Sequence, residues 1–153
     1  MPYNRFYSTV YQNFRDGKYD DGLRGLAGYK VYITTSASFR KIYNQLVTVL
    51  DKIIESSPTQ KSQSGGTTSG VSMTQLTRPL VRLNILLEYQ KKRRVIDDDL
   101  ADGIKQALDE IRANLNNPDN AVKYATALRD SLDAFLAYVI YGMKGRGEEE
   151  YGY

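Results

Sequence analysis

The chain of 153 residues contains no cysteine, no histidine and no tryptophan, and only four prolines. Without cysteine there is neither a disulfide nor a thiolate nucleophile, and without cysteine and histidine the usual zinc ligand sets are missing. Imidazole acid–base chemistry is excluded as well. No apolar run approaches the roughly 18 residues needed to span a bilayer, and Met-Pro-Tyr-Asn-Arg at the start has no apolar signal core. A soluble, cytoplasmic protein with no membrane partner is therefore expected. There is no Gly-rich phosphate loop ahead of a Lys-Thr or Lys-Ser pair and no nucleophile elbow. These absences predict a protein without catalytic residues, metal or cofactor.

Tyrosine and charge are plentiful. Six of the 13 tyrosines fall in the first 32 residues: Tyr3, Tyr7, Tyr11, Tyr19, Tyr29 and Tyr32. The net charge of +3 hides an uneven distribution, because residues 78–94 carry six Lys/Arg against one Asp/Glu, and residues 95–110 carry one against six. A surface split in this way favours an anionic partner on one side and a protein neighbour on the other; ordinary solubilising charge is the plainer alternative.

The length fits a single domain over 1–153 with a genuine core, and the apolar periodicity predicts an all-α bundle of five helices. The first runs from Pro2 with the stripe Tyr3, Tyr7, Tyr11 and Phe14 and ends at Gly17. Packing on the bundle is the natural role of that stripe, with base stacking or a subunit contact as alternatives. The rest of the tyrosine-rich segment 1–33, with Gly17, Gly22, Gly25 and Gly28, reads mostly as loop. A second helix follows the Ser36 cap, carries Phe39, Ile42, Leu46, Leu50 and Ile53 on one face, and reaches Glu55. Residues 56–76 are Ser/Gly-rich and offer little to bury, which predicts a flexible insertion. The third helix starts at Thr77 with Pro79 in its first turn and ends in Lys91-Lys92-Arg93-Arg94; its apolar residues point nearly all round, so it is expected at the centre. The fourth begins at Asp97-Asp98-Asp99 and stops before Asn117-Pro118, and the fifth, capped by Asp119 or Asn120, reaches Met143. The tail 145–153 is expected to be disordered, with Glu148-Glu149-Glu150 a solvated charge run.

Two helix starts carry cations at the end where the backbone dipole is already positive: Arg40 and Lys41 after Thr34-Thr35-Ser36, and Arg78 and Arg82 after Thr77. Such placement costs a few tenths to ~1 kcal/mol unless something negative offsets it. Side chains lean toward the helix N-terminus, aiming Arg40 and Arg82 at the free N–H groups of their own first turns, an arrangement suited to phosphate. Arg78, Arg82, Tyr89 and Arg93 advance by four, seven and four and so share one side of the third helix, where cations interleaved with an aromatic suit a phosphate backbone with a stackable base. Lys91, Lys92, Arg93 and Arg94 extend this patch. The run also has a purely structural reading, since cations at a helix C-terminus and the aspartates that follow each complement a dipole. Capping likewise fits Asp97-Asp98-Asp99 better than a metal site, because adjacent residues on a helix start point in different directions.

Three features in order resemble the small helical subunit of type III-A-like (Csm) CRISPR effector complexes: Thr34-Thr35-Ser36 followed by Arg40-Lys41 and Tyr43; the basic, apolar helix from Arg78 to Arg94; and Asp133-Ala134-Phe135-Leu136-Ala137-Tyr138 in the closing helix. The similarity covers roughly residues 34–55 and 77–141. Three residues separate Ser36 from Arg40 where the family usually has two, and Asp133 stands in place of the more usual Glu. The resemblance implies a non-catalytic subunit that stacks in several copies beside other effector subunits and contacts guide RNA and target RNA through phosphates, sequence being read by guide pairing. The competing expectation is an all-α protein–protein adaptor with no nucleic-acid role, anchored by the tyrosine stripe.

Overall fold

A computed structural model of the chain describes residues 4–56 and 73–141, and among them every regular element is helical. Six helices are present. The first, α1, is π-helical over Phe6–Tyr11 and continues as α-helix over Gln12–Arg15; α2 is Tyr19–Ala27, α3 Ser36–Glu55, α4 Thr77–Lys92, α5 Asp98–Ala113 and α6 Pro118–Phe135, which runs on as a π-helical turn, Leu136–Ile140. A 3-10 turn, Met73–Leu76, leads directly into α4.

The sixth helix is α2, in the stretch expected to be loop. Its glycines are contact points. A Cβ on Gly25 would stand 2.5 Å from the Thr9 carbonyl oxygen, and one on Gly22 would stand 2.9 Å from the Phe14 ring, so glycine lets α2 lie directly on α1. The same device recurs at Gly103, where α5 admits Asn4 and Phe6 of the first helix. These residues are chosen for close approach, which local propensity reads as helix breaking.

Helices α3, α4, α5 and α6 form a closed ring, α4 on α5, α5 on α6, α6 on α3 and α3 on α4, while α1 and α2 cover α5 and α6 from one side. Helix α4 is therefore not central, as the sequence reading expects of the third helix: α6 touches α1, α2, α3 and α5, and the helix paired with α4 is the more deeply buried α5. It buries Leu100, Ala101, Ile104, Ala107, Leu108 and Ile111, whereas α4 buries Leu80, Leu83 and Leu87 and leaves Ile85 and Tyr89 53% and 59% exposed. Each buried leucine or isoleucine contributes roughly 1.5–3 kcal/mol of transfer free energy. Phe135 of α6 joins the layers, with ring centroids 6.1 Å from Phe6, 6.0 Å from Tyr29 and 4.8 Å from Phe39.

Several caps differ from expectation. Thr35, not Ser36, caps α3, in a box where Thr35 and Ser38 each accept the other's backbone N–H. Asn117 caps α6 ahead of Pro118, in place of Asp119 or Asn120. Helix α4 has no side-chain cap at all, because Leu76 already continues a helical backbone from Met73. Leu76 is buried, so the end of the 56–76 segment is core rather than linker, and Ser56 closes α3. Residues 57–72 of that segment, Tyr3, the expected helix end at Met143 and the tail 145–153 lie outside the described residues.

The close approach of α1 and α2 makes a direct prediction. Gly25→Ala should destabilise the protein by about 1–3 kcal/mol, because the obstructing atom is backbone, while Gly28→Ala, with nothing within 4 Å, should be nearly neutral. Chemical denaturation of the two variants side by side measures the difference.

Candidate nucleic-acid interface

The outward side of α4 is a stripe. Arg78, Arg82, Ile85, Tyr89, Lys92 and Arg93 are all exposed, at helical steps of four, three, four, three and one. The three leucines on the inner side hold it to the ring, helped by polar links to α5. Lys105 donates to Glu88 at 2.6 Å, and Lys91 donates to Asp102 at 2.9 Å. These contacts raise the Lys91 ammonium pKa, through the Asp102 hydrogen bond first, and hold the Glu88 carboxyl down to about 2, through Lys105 first. Arg78 and Arg82 form no hydrogen bond or ion pair among the described residues. The Arg93 guanidinium lies 5.6 Å from the centroid of the Tyr89 ring, a cation stacked on the stripe's one aromatic.

The expected residues divide accordingly. Arg78, Arg82, Tyr89 and Arg93 do share one accessible side of α4, and Lys92 joins them with only a loose 3.5 Å pair to Glu88. Lys91 belongs instead to the α4–α5 contact. Arg40 is exposed but donates to the Tyr141 hydroxyl and lies over its ring, so it turns toward the end of α6 rather than toward its own first turn. For Arg82 the expected anchor is also absent: the helical backbone opens at Met73, nine residues earlier and beyond the side chain's reach. The Ser38 hydroxyl donates to the Val95 carbonyl at 2.9 Å, which ties the start of α3 to the turn after α4. Arg78 stands at the other end of α4, about 22 Å along the axis from Arg93.

Arg94 closes α4 in an unusual way. Its φ is +62°, its N–H bonds the Lys91 carbonyl at 3.0 Å, and the Val95 N–H bonds the Gln90 carbonyl at 3.2 Å. This is the Schellman pattern with arginine at the left-handed position where glycine is the unstrained choice, at a cost of roughly 1 kcal/mol.

The acidic stretch after it is largely engaged inside the molecule. Asp97 accepts from the Tyr32 N–H at 2.8 Å, the Ile33 and Thr34 N–H groups at 3.1 and 2.9 Å, and the Thr34 hydroxyl at 2.6 Å. Asp99 accepts from the Arg5 and Phe6 N–H groups, each at 3.0 Å, and from the Tyr29 hydroxyl at 2.6 Å. Both aspartates thus serve backbone starts other than that of their own helix. Partial burial alone would raise the Asp97 carboxyl pKa, but the Thr34 hydroxyl and the three N–H donors outweigh it and hold the group below its ordinary value. Asp109 accepts from Asn84 and Arg112, and Glu110 takes Tyr7, Tyr11 and Arg15 together at 2.8, 2.7 and 2.9 Å. Burial, then the Glu110 contact, pushes the Tyr7 and Tyr11 hydroxyls up. Tyr7 and Tyr11 therefore turn toward the bundle, as the packing reading of the stripe expects. Asp98 is the exposed acid of this turn with no partner among the described residues.

Sequence reasoning missed these inward contacts because partners such as Thr34 and Asp97 stand 63 residues apart. Among the described residues no cluster of three acidic side chains could hold a metal ion, and no helix is long and apolar enough to cross a membrane. Comparison with protein-family models, with curated proteins and with solved structures finds no match to this chain.

The Asp97 contacts predict a pH-dependent lock. With the folded carboxyl pKa below the unfolded value, its stabilisation is complete above about pH 4 and fades as the pH falls through the folded value. Asp97→Asn should cost about 2–3 kcal/mol at neutral pH, and the gap between parent and variant should narrow in acid; urea melts across pH check both.

Proposed function

We propose that this protein is a non-catalytic RNA-binding subunit that lays the outer face of α4 along a phosphate backbone, and that it serves as the small subunit of a type III-A-like CRISPR effector complex. The observation that carries the RNA-binding part is the stripe itself: Arg78 and Arg82 are exposed and unpaired among the described residues, in line with Tyr89 and Arg93, while most acids of the neighbouring turn and helix are engaged internally. A row of cations about 22 Å long spans several phosphates. Its aromatic and aliphatic members accept any base, the property needed when pairing with a guide supplies the sequence specificity.

The CRISPR assignment rests on the resemblance of residues 34–55 and 77–141. Within it, Tyr43 donates to Asp133, and Arg129 donates to Tyr43 at 2.8 Å and to Asp51 at 3.0 Å, so two of the motif residues join α3 to α6. Their part is architectural. Other effector subunits, guide RNA, target RNA and further copies of this chain are the partners this reading names. The adaptor reading loses support with Tyr7 and Tyr11 of its stripe turned toward Glu110.

Fluorescence anisotropy of a labelled single-stranded RNA at two salt concentrations tests the assignment. Arg78→Gln with Arg82→Gln should weaken binding and flatten the dependence of log K on log salt by about 0.7 per lost contact, with stability within about 0.5 kcal/mol of the parent. Lys91→Gln should lower stability slightly, by less than about 1 kcal/mol, and leave the salt slope unchanged. Binding by the double variant equal to the parent's at both salts would remove α4 from the interface.

A further inference from the structure

Two cavities share part of their walls where the chain passes from α2 into α3. One, of about 380 Å³, has Arg5, Lys30 and Arg94 in its wall together with Asp97, Asp98 and Asp99. The other, of about 420 Å³, is lined by Leu26, Val31, Tyr32, Tyr138 and Val139. Tyr29, Lys30 and Tyr32 belong to both walls, so the cavities are neighbours across one short stretch of backbone.

Their chemistries differ. In the first, Asp97 and Asp99 are screened by the N–H dipoles and hydroxyls that they accept from, which leaves Asp98 as the carboxylate without a donor. Against it stand three cations. Lys30 and Arg94 have no partner among the described residues, and Arg5 makes a single long contact, 3.3 Å, to the Gly28 carbonyl while lying over the Tyr29 ring. With three cations facing three carboxylates, two of them screened by those donors, the wall holds no large excess of positive charge and suits an anion of single charge, a phosphodiester, better than a di- or triphosphate.

In the second cavity the tyrosines are open. Tyr32 is 83% exposed and Tyr138 65%, and neither side chain has a hydrogen bond or ring contact among the described residues. Tyr7, Tyr11, Tyr29 and Tyr43, by contrast, all donate to carboxylates. Flat, unoccupied faces beside cations are what a nucleobase with its phosphate needs. Arg94 adds an independent mark: an arginine is kept in a left-handed conformation that glycine would adopt without strain, and it lies in the cationic wall. Strain retained at a cavity points to a use for the side chain.

We infer that the two cavities form a nucleotide site for one residue of an RNA strand, the phosphodiester held by Arg5, Lys30 and Arg94 and the base stacked against Tyr32 and Tyr138. This rests on the RNA-binding reading and deepens it, because Arg94 follows Arg93 at the end of the α4 stripe and would receive the strand as it leaves that helix.

The methyl ester of adenosine 5′-monophosphate, which is a phosphodiester, adenosine and dimethyl phosphate, titrated separately and followed by NMR of the tyrosine rings and arginine side chains, test the site without requiring the stripe. The nucleotide should shift Tyr32, Tyr138 and Arg94 signals together; adenosine should move mainly the rings, and dimethyl phosphate mainly Arg94. Arg94→Gly should raise the melting temperature by about 2–4 °C and yet weaken nucleotide binding, a pairing that a merely structural arginine would not give. On a short oligoadenylate, Tyr32→Ala with Tyr138→Ala should lower affinity by about 10- to 100-fold at an unchanged salt slope. Tyrosine signals that stay fixed at saturating nucleotide overturn the site, as does a response to adenosine equal to that of the nucleotide and indifferent to Arg94→Gly, which would mark an apolar surface for a protein. If the site fails while Arg78→Gln/Arg82→Gln still weakens the oligoadenylate, RNA binding stands on the stripe alone; if the nucleotide binds and that variant is silent, the stripe is what fails.

Discussion

Two carboxylates at the head of α5 hold the starting points of other segments in place. Asp97 collects the N–H groups of Tyr32, Ile33 and Thr34, just before α3 begins, and Asp99 collects those of Arg5 and Phe6 at the start of α1. Helix starts expose donors that must find acceptors, and an ionised carboxylate accepts several at once. The Thr34 hydroxyl returns the contact by accepting the Asp97 N–H at 2.8 Å, and Asn4 donates to the Asp99 carbonyl at 2.9 Å. The entry to α3, the entry to α1 and the α4–α5 turn are thereby fixed to one point. Both cavities lie along that junction.

The burial of α5 between its neighbours has a functional consequence. With α5 in contact with α1, α4 and α6, its acids are drawn into internal hydrogen bonds, and α4 is left at the outside of the ring. The basic and acidic halves of the middle of the chain, nearly balanced on paper, are not balanced on the surface. Cations of the outer α4 face stay in water, whereas Asp97, Asp99, Asp102 and Glu110 have partners within the fold. A chain with a modest net charge of +3 can thus present a strongly one-sided face.

The stripe was legible in the sequence because it depends on one helix alone. Spacings of four and seven place Arg78, Arg82, Tyr89 and Arg93 on one side whatever the helix packs against. Lys91, two residues from Arg93, could not be separated from the stripe until its Asp102 partner on α5 was known. Arg40 was misdirected for a similar reason, since Tyr141 lies 101 residues further on. The open faces of Tyr32 and Tyr138 carried no local signal that set them apart from the inward-turned tyrosines.

What the sequence determined by itself is what short-range chemistry determines: the helical nature of every described element, the long apolar face of α3, the start of α5 just after Asp97 and the basic side of α4. Periodicity and charge spacing act within a few turns and survive any packing partner. Tertiary structure decided the rest. Gly22 and Gly25 became helix contacts because Phe14 and the Thr9 backbone lie against them, and Ile85 and Tyr89 stayed in water because the ring closes on the other side of α4. A glycine that breaks a helix and a glycine that lets two helices touch are the same residue, and only the neighbour's position distinguishes them.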